Sequence, residues 1–218
     1  MTGRFITLEG PDGSGKSTAL KQLIKIFNQQ TQDNLVLTRE PGGSTIAEAI
    51  REIILNPDYP EMDDRTEALL YAASRRQHLV ETVLPSLKAD KTVISDRYLD
   101  SSLAYQGGGR ELGIENVAEM NQFATENLMP DLTLYFDVNP EIGLSRIDQN
   151  REKDRLEQQK ESFHERVYET YQELYRRYPK RIVKINANQS KQRVVDDTIK
   201  AMKDKFPELF LKFVQGGD

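Results

Sequence analysis

The chain has 218 residues, 37% of them hydrophobic and 30% charged, with a formal net charge of −5, two histidines and no cysteine. That length can bury one α/β core and carry a small mobile subdomain, and the lack of cysteine excludes disulfides, thiolate metal sites and thiol catalysis. The negative balance argues against broad electrostatic binding of nucleic acid. The quick entry from Met1 into a strand, with no apolar leader and no long apolar run, predicts neither secretion nor membrane spanning.

The first predicted strand is Phe5-Ile6-Thr7-Leu8. It runs into Gly10-Pro11-Asp12-Gly13-Ser14-Gly15-Lys16-Ser17, and a helix over about 16–30 follows. Glycine, four residues, then Gly-Lys-Ser, between a strand and a helix, is a phosphate cradle. The glycines let successive backbone N–H groups converge on an anion, and the helix adds its positive end. Lys16 reaches the terminal phosphates of a nucleotide and the Ser17 hydroxyl suits magnesium.

A second buried strand is expected at 35–38, ending in Arg39-Glu40-Pro41-Gly42-Gly43, where the proline and glycines stop regular structure. Arg39 then stands at a strand's C-terminal end, the side on which open α/β sheets bind ligands. Ser44 can cap a helix with Ile46, Ala49, Ile50, Ile53 and Ile54 on one face, and 56–60 breaks it. Asp64 with Glu67 resembles a capping box, opening a helix toward His78 and on to Leu87, disturbed near Pro85.

The third strand, 92–95, closes on Asp96-Arg97-Tyr98. An apolar run ending in aspartate beside a phosphate loop can bring a carboxylate to magnesium. A helix begins at 101–106 and is expected to be interrupted by Gly107-Gly108-Gly109, with a further helix at 114–128 and a fourth strand at 132–136. Asn139-Pro140 is a helix start. Residues 146–160 are charged and amide-rich with almost no apolar surface, which fits either a solvated helical extension or a mobile cover over an anionic ligand. Phe163, Val167, Tyr171, Leu174, Tyr175 and Tyr178 mark an amphipathic helix, followed by a fifth strand at 182–185 and a helix at 194–202. His78 and His164, isolated among charged helical residues, are assigned solvated or packing roles. Strands alternating with helices predict one α/β domain over 1–218, a five-stranded parallel sheet flanked by helices.

Spacing alone reaches a P-loop phosphotransferase. Five stretches go further: EGPDGSGKST, TREPGG, LLYAASRRQHL, DRYLDSSLAYQGGGR, and LTLYFDVNPEIGLSR followed by KDRLE. In this order, over about residues 4–195, they resemble the bacterial thymidylate kinases, P-loop kinases that move the γ-phosphoryl of ATP onto dTMP. The resemblance implies that Arg39 and Arg97 clamp the acceptor phosphate, as planar guanidinium groups can do bidentately. It implies that Tyr71, where the family usually has phenylalanine, stacks on thymine and that Arg75 donates to a base carbonyl. Ser102 and Gln106 would read the base edge, Tyr105 would crowd the 2′ position, and Asp12 would accept from the 3′-hydroxyl. Ser17 and Asp96 would serve magnesium, with 186–189 beside adenine.

No arginine stands among Asp12, Gly13 and Ser14, so the resemblance points to lid arginines, Arg155 ahead of Arg151, and favours the mobile-cover reading of 146–160. The implied catalytic set is Lys16, Arg97, Arg155, Arg151 and Asp12, in a cytoplasmic homodimer. A kinase of another nucleotide shares the same loop and lid logic. A GTP-dependent switch would need an Asn-Lys-x-Asp motif, which is missing, and an ATP-driven assembly factor would need a glutamate after Asp96, where Arg97 stands.

Overall fold

A computed structural model describes residues 3–28, 35–146 and 154–213. Five strands, β1 (Arg4–Glu9), β2 (Leu35–Arg39), β3 (Thr92–Asp96), β4 (Leu132–Asp137) and β5 (Ile182–Asn186), form one parallel sheet in the order β2-β3-β1-β4-β5. The chain runs out to β2 and back to β3 on one side of β1, then crosses to β4 and β5. The C-terminal end of β1 therefore sits where the order reverses, the position at which such sheets bind ligands. In register, Arg39 pairs with Asp96 and Leu8 with Asp96, which places the ends of β1, β2 and β3 side by side.

Alternation along β1 divides the core. Phe5 faces a cluster with Val93, Tyr98, Tyr135, Val167 and Tyr171 on one side of the sheet, while Ile6 and Leu8 join Ala19, Leu23, Ile94, Leu134 and Phe136 on the other. Full burial of each large apolar side chain contributes about 1.5–3 kcal/mol. β2 is less buried than the sequence suggests: it is an edge strand, and Leu37 remains 37% exposed.

The helices are α1 (Lys16–Asn28), α2 (Thr45–Leu55), α3 (Asp64–His78), α4 (Leu84–Lys88), α5 (Leu99–Ser102), α6 (Ile114–Thr125), α7 (Pro140–Ser145), α8 (Glu161–Arg177) and α9 (Lys191–Lys205). Ser44 occupies the cap position of α2, but its hydroxyl makes no capping bond. The buried face of α2 is Ala47 and Ile54, whereas Ile46 and Ile53 of the expected apolar stripe are half exposed. The capping box at Asp64 and Glu67 is not formed: Asp63 caps α3 by accepting from the N–H groups of Arg65 and Thr66, and Glu67 is buried for another purpose. The disturbance near Pro85 is a π-helical turn at Leu79–Val83, which accommodates the proline's missing donor and its bulk against the preceding turn.

Gly107-Gly108-Gly109 does not interrupt the chain's helical path, because Leu103–Gly109 continues α5 as a π-helix. The glycines are there for proximity. A Cβ on Gly108 would fall 1.9 Å from Thr170 Oγ1, and one on Gly109 2.6 Å from the Phe163 ring, so only glycine lets α8 lie this close. α6 ends three residues earlier than expected, where Glu126 and Asn127 turn left-handed at φ 51° and 62°.

Candidate active site

The phosphate loop is built as its sequence requires. β1 ends at Glu9 and α1 starts at Lys16, with Gly13 at φ 73° and its missing Cβ facing the Gly143 carbonyl at 2.0 Å, so no larger residue fits between loop and α7. Lys16 is 6% exposed and curls over the loop, donating to Gly10 O (2.9 Å), Pro11 O (2.8 Å) and Ser14 Oγ (3.2 Å). These oxygens occupy the three ammonium donors that terminal phosphates would take. Burial, and then the charge of Arg97, brings the ammonium down to about 8, so an anion entering the cradle would stabilise its charged form.

Residues Asp12–Ala19 line a cavity of about 810 Å³, together with Arg39, Asp96, Arg97 and, from the far side, Ala187, Gln189 and Lys191. Within 186–189, Ala187 and Gln189 thus reach the cavity. Asn188 instead shapes the turn, accepting from Asn139 N and donating to Asp137 O. Asp96 Oδ1 is buried with no hydrogen-bond partner among the described residues, and Ser17 is exposed in the same cavity. An orphaned carboxylate oxygen and a hydroxyl, both hard donors, beside a phosphate cradle fit magnesium.

A second cavity of about 110 Å³ is lined by Tyr71, Arg75, Ser102, Tyr105 and Gln106, and it shares Asp12, Arg51 and Arg97 with the first. Arg97 is the joint. It adopts a left-handed φ of 73°, uncommon for a residue with a side chain, and donates to Asp12 Oδ1 (2.7 Å), Gly10 O (2.9 Å), Ser101 Oγ (3.1 Å) and Tyr105 OH (3.3 Å). Burial opposes ionisation of Asp12, but the positive charges of Arg97 and Lys16 outweigh it and hold the carboxyl at about 2. Asp12 therefore stays an acceptor, and Tyr105 OH donates to its other oxygen at 3.2 Å.

Arg75 is 2% exposed and saturated on most sides. Its Nε donates to Glu40 Oε2 (2.8 Å), Nη1 to Asn121, and Nη2 to Tyr98 O and Ser102 Oγ (3.0 Å each), so four of a guanidinium's five N–H groups are engaged. Glu40 is held in turn by His78 Nδ1 (2.9 Å), whose Nε2 meets Thr38 Oγ1 at 2.6 Å. His78 is fully buried, in the packing role assigned to it, with polar contacts that fix Glu40. Arg39 lines the larger cavity but is exposed and paired with Glu48 at 2.9 Å.

The segment 146–160 gives the clearest departure. Arg151 lies outside the described residues. Arg155, Leu156 and Glu157 are buried, not solvated, even though the segment is so polar. The reason is that Arg155 finds acceptors: its Nε donates to Ile54 O (3.0 Å), its N–H to Leu55 O (3.4 Å) and its Nη2 to Glu67, satisfying the carbonyls left open at the end of α2. Arg155 lines neither cavity, its guanidinium being turned toward Ile54 O and Glu67. Arg51 and Arg146, which sequence reasoning did not single out, do line the phosphate cavity. Glu9 has no motif of its own either. Buried at the mouth of the loop, it accepts from Tyr98 N (2.8 Å), Ser101 Oγ (2.6 Å) and Tyr171 OH (3.0 Å), and the same two hydroxyls receive Arg97.

A parallel sheet whose central strand delivers a phosphate cradle, with a base-sized pocket joined to it through an arginine and an aspartate, defines a P-loop phosphotransferase. The thymidylate kinase family model matches residues 8–198. A thymidylate kinase of Ligilactobacillus salivarius is 55% identical over 91% of this chain and 97% of its own length, and one of Lacticaseibacillus casei is 54% identical over 96% and 100%. A crystal structure of thymidylate kinase from Ehrlichia chaffeensis superposes with a TM-score of 0.75 at 30% identity, covering 93% of this chain and 99% of that one. The chain belongs to the thymidylate kinase family.

Proposed function

We infer that the protein transfers the γ-phosphoryl of ATP to dTMP, giving dTDP and ADP on the way to dTTP. The observation that carries this reading is the junction of the two cavities at Asp12 and Arg97, which lets a donor phosphate in the cradle face an acceptor phosphate beside the base pocket. Lys16 exchanges its loop oxygens for donor phosphates, and Arg97, with Arg39, holds the acceptor phosphate and offsets charge as the phosphoryl moves. Asp12, ionised at neutral pH, accepts from the sugar 3′-hydroxyl, and Tyr105 fixes that carboxylate while filling the space near the 2′ position. Tyr71 stacks on the base, Arg75 offers its remaining N–H to a base carbonyl, and Ser102 and Gln106 complete the edge. Magnesium, when bound, neutralises phosphate charge, and Ser17 and Asp96 are the residues that would hold it.

Residues 1–218 act as one domain with 146–160 as its lid, and Arg151 and Arg155 act only after the turn carrying Arg155 leaves Glu67. A homodimer is supported by the apolar side chains left exposed on α2, α3 and α6. Cytoplasmic location follows from the use of ATP, and among the described residues no helix is long and apolar enough to cross a membrane. The test is acceptor dependence: ATP turnover should rise from near zero only when a nucleoside monophosphate is added, and equal turnover without one would contradict the reading.

A further inference from the structure

Glu67 lies behind the base pocket, bonded to its lining residue Gln106, and itself touches neither cavity. It is fully buried. Its Oε1 accepts from Gln106 Nε2 (2.8 Å) and Arg110 Nε (3.3 Å), and its Oε2 from Arg110 Nη2 (2.9 Å) and from Arg155 Nη2. Arg110 also donates to Gln159 Oε1 (3.0 Å), whose amide donates to Arg155 O (3.2 Å), so the ring of contacts around the carboxylate closes.

The chemistry of one contact decides a property of the site. A side-chain amide can offer a ligand either its carbonyl or its NH₂, and a half-turn about its last bond exchanges them. A carboxylate paired with two guanidinium groups can only accept. It therefore selects the NH₂ of Gln106 and opposes the carbonyl, because the flipped amide would set two oxygens against each other. We propose that Glu67 is a specificity-determining positioning residue: it fixes the Gln106 amide so that the carbonyl oxygen is presented to the base. This rests on the reading of Gln106 as a base-edge contact. A carbonyl there accepts from the N3–H of thymine or uracil and meets only a lone pair at N3 of cytosine. Glu67 thus sets discrimination by the protonation of N3, and it has no part in sensing the 5-methyl group.

The experiment compares kcat/KM for dTMP, dUMP and dCMP in the wild type, Glu67→Gln, Glu67→Asp and Gln106→Leu. Glu67→Gln keeps the shape but can donate as well as accept, so Gln106 can flip. A site that loses control of one such hydrogen bond should lose at least about tenfold of its dTMP over dCMP selectivity, while dTMP over dUMP stays within about twofold. Glu67→Asp remains acceptor-only and should keep both ratios near the wild type even if KM rises, which keeps the comparison decisive should Glu67→Gln fail to fold. An unchanged dTMP over dCMP ratio in Glu67→Gln, an equal fall in both ratios, or a loss in Glu67→Asp matching that of Gln106→Leu would overturn the proposal. Wild-type selectivity in Gln106→Leu would instead remove the base-reading assignment on which it rests.

Discussion

Arg97 concentrates the demands of the site in one residue. Its backbone is left-handed, its guanidinium joins both cavities, and five oxygens, from the phosphate loop, the helical stretch 99–109 and α8, orient it. Arg97→Ala should raise KM for dTMP and lower kcat, with about 1.5–3 kcal/mol or more lost from kcat/KM, since a charge-assisted contact in a buried site is removed. Steady-state kinetics on the folded variant check this, and wild-type constants would refute the clamp. Glu9 behind it makes a pH prediction. Burial, and then the nearby charge of Asp100, raises its carboxyl from 4.5 to about 7. Between those values the folded protein holds a proton that the unfolded chain releases, so the contribution is fully present below about 4.5 and is lost as pH rises through about 7. Glu9→Gln stays neutral throughout and should remove that loss, worth on the order of 3 kcal/mol at pH 8. Urea unfolding of both proteins at pH 5 and pH 8 measures it, and identical pH slopes would contradict it. Arg51 and Arg146 line the phosphate cavity without being singled out by the sequence, but the phosphate loop, Arg75, Arg97, Ser102 and Gln106 are legible because they sit in dense motifs. Glu9, Glu40 and Glu67 are not, because their work depends on partners between 35 and 162 positions away, such as Arg75 for Glu40 and Tyr171 for Glu9.

Elements show where sequence rules succeed and where packing overrides them. Strands, the phosphate loop and the Asn139-Pro140 helix start are local patterns, and the structure places them within a residue or two of expectation. The glycine triplet reads as a breaker in the sequence, which reports a glycine's freedom but not the neighbour that needs its smallness. Gly108→Ala should destabilise the fold by about 1–3 kcal/mol through overlap with the Thr170 hydroxyl, and adding Thr170→Ala should restore part of it if that contact is the cause. Thermal or urea unfolding decides, and no shift in Gly108→Ala would mean that the helix pair yields. The turn around Arg155 departs from expectation for a related reason: polar composition cannot show that a helix end supplies carbonyls to bury a guanidinium. Arg155→Ala should lower single-turnover phosphoryl transfer by about 10³-fold or more if the lid acts as an arginine finger, with smaller changes in nucleotide affinity. A near-normal rate would leave Arg155 as a cap for α2 and a partner for Glu67.

At the scale of the molecule, the sheet brings the ends of β1, β2 and β3 together and leaves an apolar exterior on the helices beside them. Ile46 and Ile53 on α2, Leu69 on α3 and Phe123 on α6 are between 44% and 92% exposed. A homodimer that covers them should become monomeric in Leu69→Glu with Phe123→Glu, as read by sedimentation equilibrium, while a wild type already monomeric at micromolar concentration would dismiss the dimer. That the joined cavities form a thymidylate-selective phosphotransfer site is tested most directly by kcat/KM with ATP and magnesium across dTMP, dUMP, dCMP and dGMP. The expected order is dTMP first, dUMP second by a factor set by one methyl group, worth about 1–3 kcal/mol, and dCMP and dGMP far below, because their edges leave buried polar groups unpaired. Equal values for all pyrimidine monophosphates, or a preference for dCMP, would contradict it.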